Sequence, residues 1–138
     1  MSKKKGSKAE RELYHLLWEL GWASIRVAGS GCTTRPSPDL ISSNGKRVLA
    51  IECKAVKGHR KYLHEDQMEE LKFFSKGFGA EPWIGVRFNN LGWSFIHLKD
   101  LPKSKGKMYY VTREIMKKNG LTLEKLINRS SINLKNEL

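Results

Sequence analysis

The dipeptide Asn44-Gly45 lies between two short apolar runs, Leu40-Ile41 and Val48-Leu49-Ala50-Ile51, and it leaves this stretch little choice of structure. Asn and Gly accept the positive φ angles of a type I′ turn, so the segment reads as a β-hairpin. With a two-residue turn, Ser43 faces Lys46, and counting back sets Asp39 opposite Ala50 and diagonal to Glu52. Side chains alternate along a strand, so Glu52 and Lys54 point to one face while Leu49, Ile51 and Cys53 point to the other. Diagonal neighbours on one face are roughly 7–8 Å apart, within reach of a shared cation.

This spacing carries chemistry. Pro38-Asp39 is followed by twelve residues and then Glu52-Cys53-Lys54. Two carboxylates held close repel unless a cation lies between them, and oxygen donors suit Mg²⁺ or Mn²⁺. A cation there would bridge a phosphate oxygen and a water for in-line displacement, with Lys54 orienting the water or neutralising developing charge. An isolated Glu-x-Lys in a basic protein is more often a solvated strand face. The Pro-Asp on the facing strand and the charge of the chain favour catalysis. Glu10 stays open between two readings. With Ser7 it satisfies a capping box, and it also heads the helical stripe of Leu13, Leu17 and Leu20, where an acid points toward the edge of the core.

The 138 residues fit one domain, and 26 Lys and Arg against 14 Asp and Glu give a net charge of +12. A polyanion is the natural partner. No apolar run approaches the roughly 18–20 residues that cross a bilayer, and Met1-Ser-Lys-Lys-Lys lacks a signal core, so a soluble cytoplasmic protein is expected. Cys32 and Cys53 form no zinc pattern and read as reduced thiols. His15, His59, His64 and His97 lack metal-ligand spacing.

The rest of the chain reads as alternating elements. Residues 2–6 are a basic arm, and a helix opens at Ser7 and closes at Gly21. Trp22 to Val27 alternates like a strand, and 28–38, rich in Gly, Ser, Thr and Pro, is a loop. His64 to Lys76 is helical, with Gly77-Phe78-Gly79 breaking it. Trp83–Phe88 and Trp93–Leu98 are strands joined at Asn89–Gly92. Leu123–Ile127 is a short helix, and 129–138 is a polar tail. Arg11, Arg26, Arg35, Lys57, Arg60 and Lys61 surround the proposed site in sequence as phosphate contacts, and Ser30 could donate a hydrogen bond to a phosphate.

A helix with Glu10, a hairpin with Pro38-Asp39 and Glu52-Cys53-Lys54, and then a helix resemble the PD-(D/E)XK nuclease superfamily. More of the chain resembles the archaeal Holliday-junction resolvase family: Gly6-Ser-Lys-Ala-Glu-Arg-Glu-Leu13, Arg26-Val-Ala-Gly-Ser30, Asn44-Gly-Lys46, Leu71-Lys-Phe-Phe-Ser75 with Phe78-Gly79, and Gly92-Trp-Ser-Phe-Ile96. The similarity runs from about Gly6 to Leu98. It implies an α/β, restriction-endonuclease-like core with a mixed sheet of about five strands flanked by helices. It further implies Mg²⁺ on Glu10, Asp39 and Glu52, with Lys54 assisting the attacking water and Arg11, Arg26 and Ser30 needed for activity or DNA contact; Ser30 is thus expected among the catalytic residues, and Lys5, Arg35 and Lys57 are expected on the DNA beside Arg11, Arg26 and Ser30. Phe74 and Phe78 would form a homodimer interface. The implied substrate is four-way junction DNA, cut by paired nicks in recombination and repair at the nucleoid, with no membrane and no small-molecule substrate. Departures are the long 32–38 loop and the sparsely matching chain after Leu98. Gln67 resembles a glutamine that some superfamily members carry, though a surface role is commoner. The alternatives are a nuclease of the same superfamily with other DNA specificity and a non-catalytic basic DNA-binding module.

Overall fold

The computed structural model describes residues 2–27, 35–89 and 91–129, with side chains from Lys8 onward. In chain order the elements are α1 (Ser2–Glu19), β1 (Ala23–Arg26), β2 (Leu40–Ser43), β3 (Val48–Val56), β4 (Arg60–Leu63), α2 (Glu65–Phe78), β5 (Glu81–Phe88) and β6 (Gly92–His97). A 3₁₀ turn at Leu98–Asp100 leads on to β7 (Tyr109–Thr112), α3 (Arg113–Asn119) and α4 (Leu123–Ile127). Among the described residues, no helix is long and apolar enough to cross a membrane.

Five strands form a mixed sheet in the order β1-β2-β3-β5-β6, and β4 pairs with β7 in a separate ribbon. Only β3 and β5 run parallel. A parallel pair needs a crossover, which α2 supplies. Both sheet faces are covered. On one, Leu13 and Leu17 of α1 and Leu126 of α4 pack with Leu40, Leu49, Ile51, Trp83 and Phe95. On the other, Met68 and Leu71 of α2, Leu63, Val111 and Met116 pack with Ala50, Val56, Ile84 and Val86. A strand buried on both faces needs a continuous apolar run, which Val48-Leu49-Ala50-Ile51 provides. Gly85 is required by close approach, because a Cβ there would meet the Phe95 ring at 3.0 Å and Ile51 at 3.2 Å.

The hairpin turn is longer than its Asn-Gly dipeptide implied. Ser43 pairs with Val48 and Leu40 with Ile51, a register two residues from the expected one. Residues 44–47 form the loop, and the Asn44 side chain decides it: Oδ1 accepts the N–H groups of Lys46 at 2.9 Å and Arg47 at 2.7 Å. Such an Asx turn competes with the tighter type I′ geometry. Gly45 still supplies a positive φ of 92°. A two-residue shift preserves the alternation, so every side chain keeps its expected face.

Other boundaries also moved. The helix begins at Ser2, so residues 2–6 are not a separate arm and Ser7 lies inside the helix rather than capping it. Leu13 and Leu17 are fully buried, but Leu20 lies beyond the helix end and is 47% exposed. Gly77 is carried within α2, which ends on Gly79 in the left-handed region with its N–H on Ser75 O. Arg129, expected in the tail, is packed, and the rest of that expected tail, residues 130–138, lies outside the described residues. The Arg129 carbonyl accepts Arg47 Nη1 at 3.2 Å and its guanidinium lies 5.9 Å from the Trp83 ring centroid.

Candidate active site

Asp39 sits immediately before β2. Beyond the last regular pair of the ladder, its N–H donates to Ile51 O at 3.2 Å and its Oδ2 accepts the Cys53 N–H at 2.8 Å. These two contacts pin Asp39 beside Glu52, in hydrogen-bonding contact with it rather than diagonal to it. Lys54 follows on the same face of β3. Here that face is the packed one of Ala50 and Val56, not a solvated surface.

Burial dominates the electrostatics. Loss of water around Glu52, the hydrogen bond to Asp39 and the Asp39 charge push its carboxyl up to about 9, with Lys54 opposing and Glu10 adding to the rise. Burial, then Asp39, also raises Glu10, while Arg26 holds it down. Burial raises the Cys53 thiol well above its usual value, with the nearby carboxylates contributing, which suits an inert reduced thiol.

Glu10 therefore belongs with the acidic group. The capping-box reading fails because α1 is already helical at Ser7, and Glu10 feels both Asp39 and Glu52. Its Oε1 lies 3.9 Å from Arg26 Nη2. Among the described residues, no three Asp, Glu, His or Cys side chains converge tightly enough to enclose a cation as they stand. The donor set nevertheless fits one: three carboxylates, two of them pushed toward the protonated form first by burial and then by the neighbouring carboxylate charge, which a hard cation would offset.

Basic residues flank this group. Arg11 and Arg26 line a cleft of about 440 Å³ with Tyr14, His15 and Ile25, and Arg26 joins it to Glu10. Among the described residues, no hydrogen-bond partner meets the buried Arg26 Nε. Arg35 and Lys57 are exposed. Lys5 lies on α1, and Ser30 and Cys32 lie outside the described residues. Gln67 is exposed on α2. Phe74 and Phe78 stack at 5.1 Å, Phe78 being 55% exposed. A cavity of about 1050 Å³ opens at the opposite end of β3, between Val48, Met68, Ser75 and Leu101, and contains none of the candidate acids.

Two supports escaped the sequence reading. Glu12 accepts Arg87 Nε at 2.8 Å and Trp93 Nε1 at 2.9 Å, fastening α1 to the sheet two residues from Glu10. Arg47 is 4% exposed, bound in a fork to Glu81 at 2.8 and 2.9 Å, and donates to Leu126 O at 2.7 Å. Their partners are 34 to 81 residues away in sequence, so no local pattern marks them.

The family described as archaeal Holliday junction resolvase (Hjc) matches residues 1–134. The chain belongs to this family. The crossover junction endodeoxyribonuclease Hjc of Archaeoglobus fulgidus is 41% identical over 102 residues, covering 74% of this chain and 75% of the relative. That of Sulfurisphaera tokodaii is 31% identical over 128 residues, covering 91% and 88%. The solved structure of Archaeoglobus fulgidus Hjc, described as a Holliday junction resolvase from an archaeal hyperthermophile, superposes with a TM-score of 0.82 at 35% identity. That superposition covers 88% of this chain and 98% of Hjc. The mixed five-stranded sheet with flanking helices is thus the restriction-endonuclease-like core of the Hjc family.

Proposed function

We propose that this chain is a metal-dependent endonuclease that resolves four-way DNA junctions by paired nicks during recombination and repair, working on the chromosome in the cytoplasm. The observation that carries the reading is the convergence of Asp39, Glu52 and Lys54 on one end of the β2–β3 hairpin, with Glu10 joining from α1 in a chain of the Hjc family.

In this reading Glu10, Asp39 and Glu52 hold Mg²⁺, for which Mn²⁺ substitutes. The bound ion supplies Lewis-acid stabilisation of phosphorane charge and a water of lowered pKa. Asp39 would be oriented for this by the Cys53 N–H, which donates to its Oδ2 at 2.8 Å. Glu52, kept protonated by burial and by Asp39, would serve as a ligand in its deprotonated form, so metal binding would be coupled to loss of its proton. Lys54 orients the attacking water and balances negative charge at the scissile phosphate. Arg11, Arg26, Arg35 and Lys57 hold the DNA backbone, joined by Lys5 and Ser30, which also assists at the phosphate. The place of Arg26 in the cleft beside Arg11, 3.9 Å from Glu10, supports its role in that set.

A two-fold homodimer through the Phe74–Phe78 stack suits a substrate with two symmetric strands to cut. Recognition by junction shape and phosphates makes binding fall steeply with salt. The test is cleavage of a labelled four-way junction beside a linear duplex of the same sequence, with Mg²⁺ or EDTA, by wild type and Glu52→Gln. Nicking of the junction alone, with metal and by wild type alone, is expected. Equal cutting of the duplex overturns the junction specificity, and binding without cutting overturns the enzyme reading.

A further inference from the structure

The β4–β7 ribbon carries a cluster that the nuclease chemistry leaves unused. Its register sets Tyr62 against Tyr110, Arg60 against Thr112 and Leu63 against Tyr109. Alternation divides the ribbon into two faces. Leu63 and Val111 turn inward and are 1% and 0% exposed. Arg60, Tyr62 and Tyr110 share the outer face, where Tyr62 is 49% exposed. The tyrosine rings lie 6.3 Å apart, and the Arg60 guanidinium covers both, 5.9 Å from Tyr62 and 5.7 Å from Tyr110. Arg60 Nη1 also donates to the Tyr62 hydroxyl at 3.2 Å.

The ribbon's location gives this cluster meaning. Side chains 52, 54 and 56 of β3 share a face, and Val56 packs in one cluster with Leu63 and Val111. The seat of the ribbon therefore begins two residues beyond Lys54, roughly 7 Å along the strand. Cross-strand packing of two tyrosines would by itself help hold a ribbon. This ribbon already has Leu63 and Val111 for that, and its outer face carries the Arg60 guanidinium over both rings with exposed Lys57 just before the strand, so that face is positively charged as well as aromatic.

We propose that Arg60, Tyr62 and Tyr110 form a stacking site for an unpaired nucleobase at the branch point of the DNA, next to the phosphate cut at Glu52 and Lys54. The inference rests on the reading of the chain as a junction nuclease. Unstacked bases bind to aromatic rings and to guanidinium planes, and both surfaces are present here. A linear duplex keeps its bases stacked and offers none, so the site discriminates branched from unbranched DNA without reading sequence.

The experiment uses the full chain in a Glu52→Gln background, chosen so that DNA is bound without being cut. Junction and linear duplex carrying 2-aminopurine, at the branch point or the equivalent step, are titrated by this protein with the ribbon intact, with Tyr62→Ala plus Tyr110→Ala, and with Tyr62→Phe plus Tyr110→Phe. The intact ribbon is expected to change the 2-aminopurine fluorescence only in the junction. The alanine pair should lose that change and bind the junction roughly tenfold or more weakly, the scale of one lost base–aromatic stack, while duplex affinity stays within about twofold. The phenylalanine pair keeps the ring faces and should behave as the intact ribbon. Where the alanine pair melts early, Tyr62→Ala alone carries the comparison. Equal weakening on both DNAs, or an unchanged junction titration, overturns the stacking site while leaving the junction reading in place. An intact ribbon that fails to prefer the junction overturns the junction reading instead. In that event a gapped duplex with 2-aminopurine in the gap decides the stacking site on its own, its response being either lost with the alanine pair or not.

Discussion

Asp39 Oδ2 accepts the backbone N–H of Cys53 at 2.8 Å, so the acid from one side of the hairpin is fastened into the other beside Glu52. The contact fixes two carboxylates at close range, and burial together with Asp39 makes Glu52 the most proton-hungry acid of the group, at about 9 against an ordinary 4.5.

A pH-dependent stability follows. The folded chain keeps the Glu52 proton over a range in which the unfolded chain has lost it. The contribution of the neutral acid is therefore fully present below about 4.5 and is lost as pH rises toward about 9. Without divalent metal, Glu52→Gln should melt above wild type near about pH 8, by roughly 2 kcal/mol or more given about 1.4 kcal/mol per unit of displacement. The gap should close in acid, and added Mg²⁺ should stabilise wild type with release of a proton. Calorimetric titrations in two buffers of different ionisation heat count that proton, and no buffer dependence would contradict the assignment.

Lys54 shares the face of Glu52 and opposes its rise in pKa. Lys54→Ala should cut single-turnover nicking by about 10²–10³ while junction affinity changes little, the signature of a group needed in the transition state. A matching loss of binding would instead make Lys54 a phosphate anchor.

Arg47 is held by Glu81, Leu126 O and Arg129 O, so Arg47→Ala leaves a carboxylate and two carbonyls short of a donor. Loss of one partner from a buried ion pair costs roughly 3–5 kcal/mol. Urea unfolding should show that loss, while nicking per folded molecule stays near wild type.

Phe78 is over half exposed and stacked on Phe74. If this face joins two copies, Phe78→Asp should sediment as a monomer and nick the two strands of a junction independently. A dimer that persists through that substitution would move the interface elsewhere.

Removing residues 130–138 should leave melting and cleavage largely intact. Cutting before Leu126, which is fully buried, should destabilise the fold by roughly 2–5 kcal/mol. Equal damage from both truncations, read by thermal melting, would show that the last nine residues belong to the packed fold.

The sequence reading succeeded where periodicity is local and strong. Alternation in Val48–Lys54 assigned faces correctly, and the helical stripe of Leu13 and Leu17 is buried as expected. It misjudged what side chains decide at a distance or at a cap. The Asn44 carboxamide bonded to its own turn and moved the register by two residues. Strands β4 and β7 were missed because Arg60–Leu63 is mostly polar and finds its partner only at 109–112. The Glu10 ambiguity was irreducible from Ser7-x-x-Glu10 alone, since that tetrapeptide is equally well formed at a helix start or inside one.

The Arg47 clamp also bears on how the site is held. The hairpin that carries Asp39 and Glu52 is closed at its turn by an arginine whose partners are Glu81, Leu126 and Arg129. The carboxylate among those partners lies 34 residues along the chain and the two carbonyls 79 and 82, so the turn is tied to β5 and to the α4 end of the fold rather than to its own neighbourhood. The hairpin that carries Asp39 and Glu52 is thus anchored at its far end to the segment that closes the other face of the core, and loosening of α4 would be felt at the turn that backs the acids.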